Sequence, residues 1–205
     1  KGVRGRMAHR HNTVQEKNLK YLIKDYSKKQ IPKYATHLFA CGKEAGKWMF
    51  GKHKFQIMNN AIDAKKFIYN EEVRKQKRVE LGVEDKFVIG HVGRFNLQKN
   101  HEFLVKRFAD FAKTNEDAVL VLIGNGELQE KIKEMAKEYG IETKVKFLGL
   151  REDIPQLLQA MDLFLFPSLF EGLPVTLVES QAAGLPCVIS DMITDEIMIT
   201  DQISK

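Results

Sequence analysis

From Lys86 onward the chain alternates short apolar, β-rich runs with longer stretches whose apolar residues recur at helical spacing. "KFVIGHVG" reads as a buried strand. "NHEFLVKRFADFAKT" reads as a helix, with Phe103, Leu104, Phe108 and Phe111 expected on its apolar stripe. "AVLVLIG" predicts the next strand and "ELQEKIKEMAKEYG" a helix that stops at Gly140. "KVKFLG" and "DLFLF" are further strands, separated by a short helix in "EDIPQLLQAM"; "PVTLVESQAAG" is a helix and "PCVIS" a fifth strand. Near-continuous apolar strands separated by helices require a parallel sheet covered on both faces. The predicted fold class is therefore α/β, a Rossmann-like doubly wound parallel sheet. In such sheets ligands bind beyond the carboxyl ends of the strands.

Residues 1–58 follow a weaker version of the same pattern. "RMAH", "THLFA" and "KFQIM" read as strands, with helices near residues 13–29 and 43–50, a truncated remnant of a second Rossmann-like lobe. Residues 59–85 read as a connector holding one charged helix, and residues 86–205 as the ligand-binding domain. The chain starts at Lys1 and ends on "ITDQISK" with no closing helix, so both ends are expected to be cut.

Composition narrows the class. A hydrophobic content of 43% and a charged content of 29% over 205 residues fit a soluble globular protein. No apolar run approaches the ~18–20 residues of a membrane span, and no signal peptide is visible, which makes a cytoplasmic location the expectation. Cys41 and Cys187 stand in no metal-like spacing and are expected to be reduced and packed. The net charge of +6 hides an asymmetry: residues 1–54 hold fourteen Lys/Arg against three Asp/Glu, and the remainder carries a net −5. A basic block beside an acidic body is either a solvated face or a surface for an anionic partner, a membrane or a phosphorylated substrate. Nucleic acid is not expected, because no aromatic-basic interleaving or recognition-helix pattern accompanies the charge.

Three loops at strand ends carry candidate chemistry. "GRFNLQKN" offers Gly93, Arg94 and Lys99: glycine lets a ligand approach the backbone, while arginine and lysine supply a planar fork and a point charge for phosphate. It lacks G-x-G-x-x-G, which weakens a dehydrogenase reading. "GNGE", Gly124 to Glu127, reads as a glycine turn into a helix that opens with an acid. "SLFEGLPVTLVESQAAGLPCV" places Glu171 and Glu179 around a Gly-Leu-Pro turn. Pro174 suits the first turn of a helix and Gly172 a sharp bend before it. The helix start then offers free N–H groups and partial positive charge to a diphosphate. Glu179 falls about 7.5 Å further along the axis, on a stripe expected to include Val175, Val178 and Ala182. Carboxylates can bind vicinal hydroxyls bidentately, so the loop can take a sugar at Glu171, diphosphate at the turn and ribose at Glu179.

"FEGLPVTLVES", with its Glu-x7-Glu spacing, resembles the signature of the retaining family-4 glycosyltransferases, whose fold is two facing Rossmann-like lobes. "VGRFNLQKN", "IGNGEL" and "FLGLREDIPQLLQAMDLFLFPS" match that family's donor lobe in order and spacing. The resemblance covers residues 54–200 well and the first fifty loosely, and is nearest to bacterial capsular or exopolysaccharide enzymes. It implies that Arg94 and Lys99 neutralise a donor diphosphate. Glu171 with the backbone of Gly172, Leu173, Pro174 and Val175 would hold sugar and phosphates, and Glu179 the ribose. The base would lie near Leu150 and Arg151, read through backbone groups. "NNAID" resembles a hinge stretch usually written Pro-Asn-Gly-Ile-Asp, with Asn59 and Ala61 as departures. A histidine of the acceptor lobe contacts the donor sugar in the family; here "AHRHN" offers His9 and His11, of which His11 is the candidate.

The implied reaction moves a sugar from a nucleotide-diphosphate sugar, UDP-linked on family grounds, to a polysaccharide or lipid-linked acceptor. The setting would be the inner face of the cell membrane. With no Asp-x-Asp cluster for a metal, Arg94, Lys99 and the helix start would stabilise the leaving diphosphate, so neither cofactor nor metal is expected. Retention without a covalent nucleophile implies that the leaving phosphate takes the acceptor proton. Two other readings stay open: a nucleotide-sugar epimerase of the same fold, and a domain that only binds donor.

Overall fold

Three short strands lie parallel near the start of the chain: β1 (Met7–Arg10), β2 (His37–Ala40) and β3 (Gln56–Ile57), in that spatial order. Helix α1 (Tyr21–Tyr34) precedes β2, and α2 (Lys43–Phe50) follows it. The computed structural model describes residues 3–10 and 21–205. They group into a smaller unit, residues 1–61 with 170–175 and 193–197, and a larger one, residues 62–169, 176–192 and 198–205. Within the smaller unit α2 begins after Gly42, which has no side chain to cap it. The Glu196 carboxylate does so instead, accepting from the Lys43 N–H at 2.8 Å.

The larger unit holds α3 (Glu71–Leu81), β4 (Phe87–Val92), α4 (His101–Ala112), β5 (Ala118–Ile123), α5 (Gln129–Glu138) and β6 (Val145–Gly149). It continues through α6 (Ile154–Gln159), β7 (Leu163–Phe166), α7 (Val175–Ala182), β8 (Cys187–Ile189) and β9 (Ile203–Ser204). Residue Val175 itself falls in the smaller unit. Every strand pair is parallel, in the order β6-β5-β4-β7-β8-β9. All six residues of β5 are buried, as a central strand covered on both faces must be. Leu104, Phe108, Leu120, Leu122 and Ile132 are the centre of the core that α4 and α5 form on the sheet. Both cysteines are buried and neither is in a disulfide among the described residues; burial pushes the Cys187 thiol up to about 12.

Two expected stripes shift. On α4 the buried face is His101, Leu104, Val105, Phe108, Ala109 and Ala112, while Phe103 and Phe111 are 47% and 38% exposed. Those two lie eight apart on the flank. Phe103 packs under the Arg107 guanidinium and Phe111 against the exposed Phe87 ring, 6.1 Å between centroids. On α7 the buried residues are Leu177, Ser180 and Gln181, and Val175 is exposed.

The charged helix expected in a connector is α3, and it packs within the larger unit. Asn70 caps it, accepting from the N–H groups of Glu72 and Val73, and Gly82 ends it in the left-handed conformation that favours glycine. What fixes α3 is Asp162, just before β7. Its carboxylate accepts from Arg74 Nη2 at 2.5 Å, Arg78 Nη1 at 3.2 Å and the Val88 N–H at 2.8 Å. Buried Arg78 also donates to the carbonyls of Ala160, Glu84 and Lys86. Burial alone would raise the Asp162 carboxyl; the Val88 N–H and the two guanidinium groups hold it below the usual carboxylate range.

Removing one member of such a cluster leaves the others desolvated and unpaired. Asp162→Ala is expected to cost about 3 kcal/mol at pH 7, the lower end for breaking a buried pair because the group is partly exposed. The folded-state pKa is depressed, so this stability is complete above about pH 5 and is lost as pH falls through the folded value. Urea unfolding of wild type and variant at pH 7 and at about pH 3.5 tests this; a deficit that does not shrink at low pH would show that Asp162 acts through packing rather than charge.

Candidate functional site

Strand order reverses between β4 and β7, so the chain leaves their carboxyl ends in opposite directions, the place where open parallel sheets form their crevice. The loops after β4, β5 and β6 are joined by main-chain hydrogen bonds. Gly93 N–H donates to Ile123 O, Phe95 N–H to Asn125 O, Leu128 N–H to Phe95 O, and Gly124 N–H to Gly149 O, at 2.8–3.0 Å. The close approach explains "GNGE" more fully than a glycine turn does. A Cβ on Gly124 (φ +136) would lie 2.1 Å from Gly93 O, and one on Gly126 would lie 2.4 Å from Phe95 O.

These loops border a cleft of about 360 Å³ lined by Gly93, Arg94, Gly124, Asn125, Leu150 and Arg151, with apolar Val92, Ile123 and Ile154 behind. Arg94 is exposed, and its Nε and Nη2 donate to Glu127 Oε2 at 3.3 and 3.1 Å. Arg151 is held differently: Nε and Nη2 grip both oxygens of Asp153 at 2.7 Å, and Nη2 also reaches Glu80 at 2.9 Å. The Arg151 guanidinium, with Lys77, keeps the Asp153 carboxyl far below the usual range. With its guanidinium so engaged, Arg151 offers a ligand its backbone. Leu150 beside it is 79% exposed.

The β4 loop ends in a single 3-10 turn, Leu97–Lys99, capped by Asn96, and Asn100 then adopts φ 55. Asn100 Nδ2 donates to Pro167 O, and Leu169 N–H donates to Gln98 O at 2.9 Å, which join the β4 and β7 loops. Lys99 Nζ lies 4.4 Å from the centroid of Phe166. Under this loop are two buried histidines. His91 and His101 have ring centroids 4.8 Å apart, and His101 stacks on Phe95 at 4.1 Å. His91 Nδ1–H donates to Leu165 O. Burial pushes His91 well below its ordinary value and His101 to about 4, so both are neutral at pH 7. Among the described residues the buried side-chain atoms that make no hydrogen bond include His91 Nε2 and both His101 nitrogens here, together with Ser168 Oγ after β7 and Thr176 Oγ1 in α7. Buried polar groups are normally satisfied, so this crevice is suited to a polar occupant or ordered water.

The remaining candidates are placed separately. Glu171, Gly172, Leu173, Pro174 and Val175 belong to the smaller unit, where Asn60 Nδ2 donates to Leu173 O at 2.6 Å. Glu179 belongs to the larger unit; it is half-buried, burial raises its carboxyl, and it has no side-chain partner among the described residues. His9 is exposed on β1, and His11 lies outside the described residues. Within the larger unit, then, Gly93, Arg94, Leu150 and Arg151 share one cleft, and Lys99 sits further along the same β4 loop, outside the cleft's lining. Asn60, His91, His101 and Glu127 were not anticipated as partners. "NNAID" and "GNGEL" contained two of them, but contacts spanning 113 and 33 residues have no local signature. Among the described residues no group of three or more His, Cys, Asp or Glu is arranged to hold a metal ion, and no helix is long and apolar enough to cross a membrane.

Comparison with known proteins gives a consistent result. The profile of the family described as glycosyl transferases group 1 matches residues 72–201. EpsF of Bacillus subtilis (strain 168), named a glycosyltransferase, is 39% identical over 207 aligned residues, covering 96% of this chain and 53% of that protein. The UDP-Gal:alpha-D-GlcNAc-diphosphoundecaprenol alpha-1,3-galactosyltransferase of Escherichia coli is 34% identical over 143 residues, 68% of this chain and 37% of that protein. The chain thus spans about half the length of the first relative and less of the second. Anabaena HepE, solved in complex with UDP and glucose, shares the fold, with a TM-score of 0.83 over 95% of this chain and 55% of that one at 22% identity. The matched stretch runs from α3 to the turn before β9 and so takes in the β4, β5, β6 and β7 loops: the chain belongs to the glycosyl transferases group 1.

Proposed function

We propose that the larger unit binds a UDP-sugar and that the protein transfers the sugar, with retention, to a polysaccharide or lipid-linked acceptor in capsule or exopolysaccharide synthesis. One observation carries this reading: Gly93 and Arg94 border the same cleft as Leu150 and Arg151. A diphosphate at the first pair can therefore keep its nucleoside at the second. The cleft's apolar backing suits a base, and the engaged Arg151 guanidinium leaves backbone groups to read it. The preference for UDP draws on the E. coli relative, named for a UDP-Gal donor, and on HepE, solved with UDP. Glu179, half-buried and short of partners, is the reading's ribose ligand; Glu171 and the Gly172–Val175 backbone serve the sugar and phosphates, and His11 the sugar from the acceptor side.

Breaking the anomeric C–O bond puts charge on the diphosphate and leaves an oxocarbenium-like carbon. Preorganised positive groups at that oxygen are the largest catalytic term available, and in this reading Arg94 and Lys99 supply them. The neutral state of His91 and His101 keeps competing charge away from Lys99. The leaving phosphate then takes the acceptor's proton on the same face. For a lipid-linked acceptor, exposed Leu22, Ile23 and Tyr26 of α1, with Lys29 and Lys33 on the same helix, are the part of the basic N-terminal stretch we assign to an anionic membrane at the inner face.

Two measurements test this. Calorimetry with UDP should show that Arg94→Ala weakens binding by about 1.5–3 kcal/mol, the scale of a charge-assisted hydrogen bond; equal affinity in the variant would remove Arg94 from the site. UDP affinity should also be unchanged by EDTA, since the cationic pair is assigned the role a divalent ion would otherwise fill. A large Mg²⁺ or Mn²⁺ requirement would mean that the charge stabilisation is wrongly assigned.

A further inference from the structure

Glu127 has no place in the chemistry described so far, yet it is the residue that Arg94 touches. Both Nε and Nη2 of Arg94 converge on one oxygen of Glu127, and the two side chains are 70% and 57% exposed. The loop that presents Glu127 is fixed from behind: Leu128 N–H is bonded to Phe95 O, and Gly126 lies against the Phe95 backbone. Its carboxylate is thus a negative charge beside Arg94, which lines the cleft. An exposed pair of this kind is weak, so an incoming diphosphate can displace it. Displacement moves Glu127 off Arg94 but leaves its charge close to the phosphates.

That charge acts unequally on the two nucleotides the site must handle. In the nucleotide sugar the diphosphate is esterified at both ends and carries two negative charges. Transfer breaks the anomeric C–O bond, the electron pair stays on the phosphate oxygen, and the sugar carbon bonds the acceptor oxygen. The acceptor proton passes to the leaving phosphate and, at neutral pH, on to solvent. The product therefore carries an additional negative charge at its terminal phosphate, and a fixed carboxylate nearby disfavours product more than donor.

We propose that Glu127 is a positioning and product-discriminating residue: it holds Arg94 while the cleft is free, and it biases the occupied cleft against the more highly charged nucleoside diphosphate, which speeds release. This rests on the donor reading above. Arg94 remains the group that touches the donor, and Glu127 acts through it and through its own charge.

The test measures the affinities of UDP and UDP-glucose by calorimetry on the chain and on Glu127→Gln, at low salt and at about 0.5 M NaCl, where charges beyond a few ångströms are screened. Glu127→Gln should tighten UDP by about threefold to fivefold at low salt, the scale of an exposed charge pair. It should tighten UDP-glucose by less than half that factor, and the difference should collapse at high salt. Glu127→Asp, which keeps the charge, should behave as wild type, separating charge from any disturbance of the loop. Equal changes for the two ligands, weakened UDP binding in Glu127→Gln, or a difference that persists in high salt would overturn the proposal. Arg94→Ala separates it from the donor reading: loss of UDP binding there, with no effect of Glu127→Gln, leaves the donor site standing and removes Glu127. A wild-type chain that binds neither nucleotide removes both.

Discussion

The cleft in the larger unit depends on two loop backbones lying in contact. Gly124 and Gly126 pass so close to the carbonyls of Gly93 and Phe95 that any Cβ would overlap them, at 2.1 and 2.4 Å. A contact of that kind cannot be relieved by rotating a side chain, because both partners are main chain. It also satisfies the polar groups of segments that leave the sheet, through bonds from Phe95 to Asn125 and from Leu128 to Phe95. Arg94 therefore projects from a segment with little freedom, the condition for a charge to act without reorganising. It is placed by two glycines thirty residues away in sequence more than by its own neighbours.

This separates what the sequence disclosed from what it withheld. The alternation of strands and helices was legible because parallel strands buried on both faces are nearly all apolar, as in "AVLVLI", and because Gly82 and Gly140 mark helix ends at positive φ. The parallel arrangement then collects the carboxyl-end loops on one edge of the sheet, so Gly93 and Arg94 could be placed there from the pattern, whereas Leu150 and Arg151 were named only through the family resemblance. Hydrophobicity misled where large side chains sit on a flank: Phe103 and Phe111 have the character of core residues, but His101 and Ala109 take the buried positions of α4. A buried neutral histidine has no sequence signature, because its neutrality comes from its surroundings. The Arg94–Glu127 and Asn60–Leu173 contacts were invisible because each joins segments far apart in sequence.

Three arginines of the larger unit show how burial divides engaged charge from available charge. Arg78 is 8% exposed and bonds Asp162 and three carbonyls, so removing any partner strands a desolvated charge. Arg151 is intermediate, half-buried and gripped by two carboxylates that also bind Lys77. Arg94 is 70% exposed with a single carboxylate oxygen as partner. The three form a series in availability: a ligand would have to break several bonds to recruit Arg78, at least two strong ones to recruit Arg151, and one weak pair to recruit Arg94. Sequence assigns all three the same charge.

The same division applies to polar groups that lack charge. Around α3 and α6 nearly every donor meets an acceptor, as where Gln159 bridges the Asn70 N–H and the Ile68 carbonyl. By contrast, His91 in β4, His101 at the start of α4, Ser168 after β7 and Thr176 in α7 hold buried atoms with no bond among the described residues. Leaving such atoms unpaired costs roughly 1–3 kcal/mol each. The Asp162 cluster is the satisfied counterpart, where one carboxylate gathers two arginines and a main-chain N–H. In the donor reading proposed above, a ligand that brings charge and hydroxyls would complete those buried atoms and the exposed Arg94.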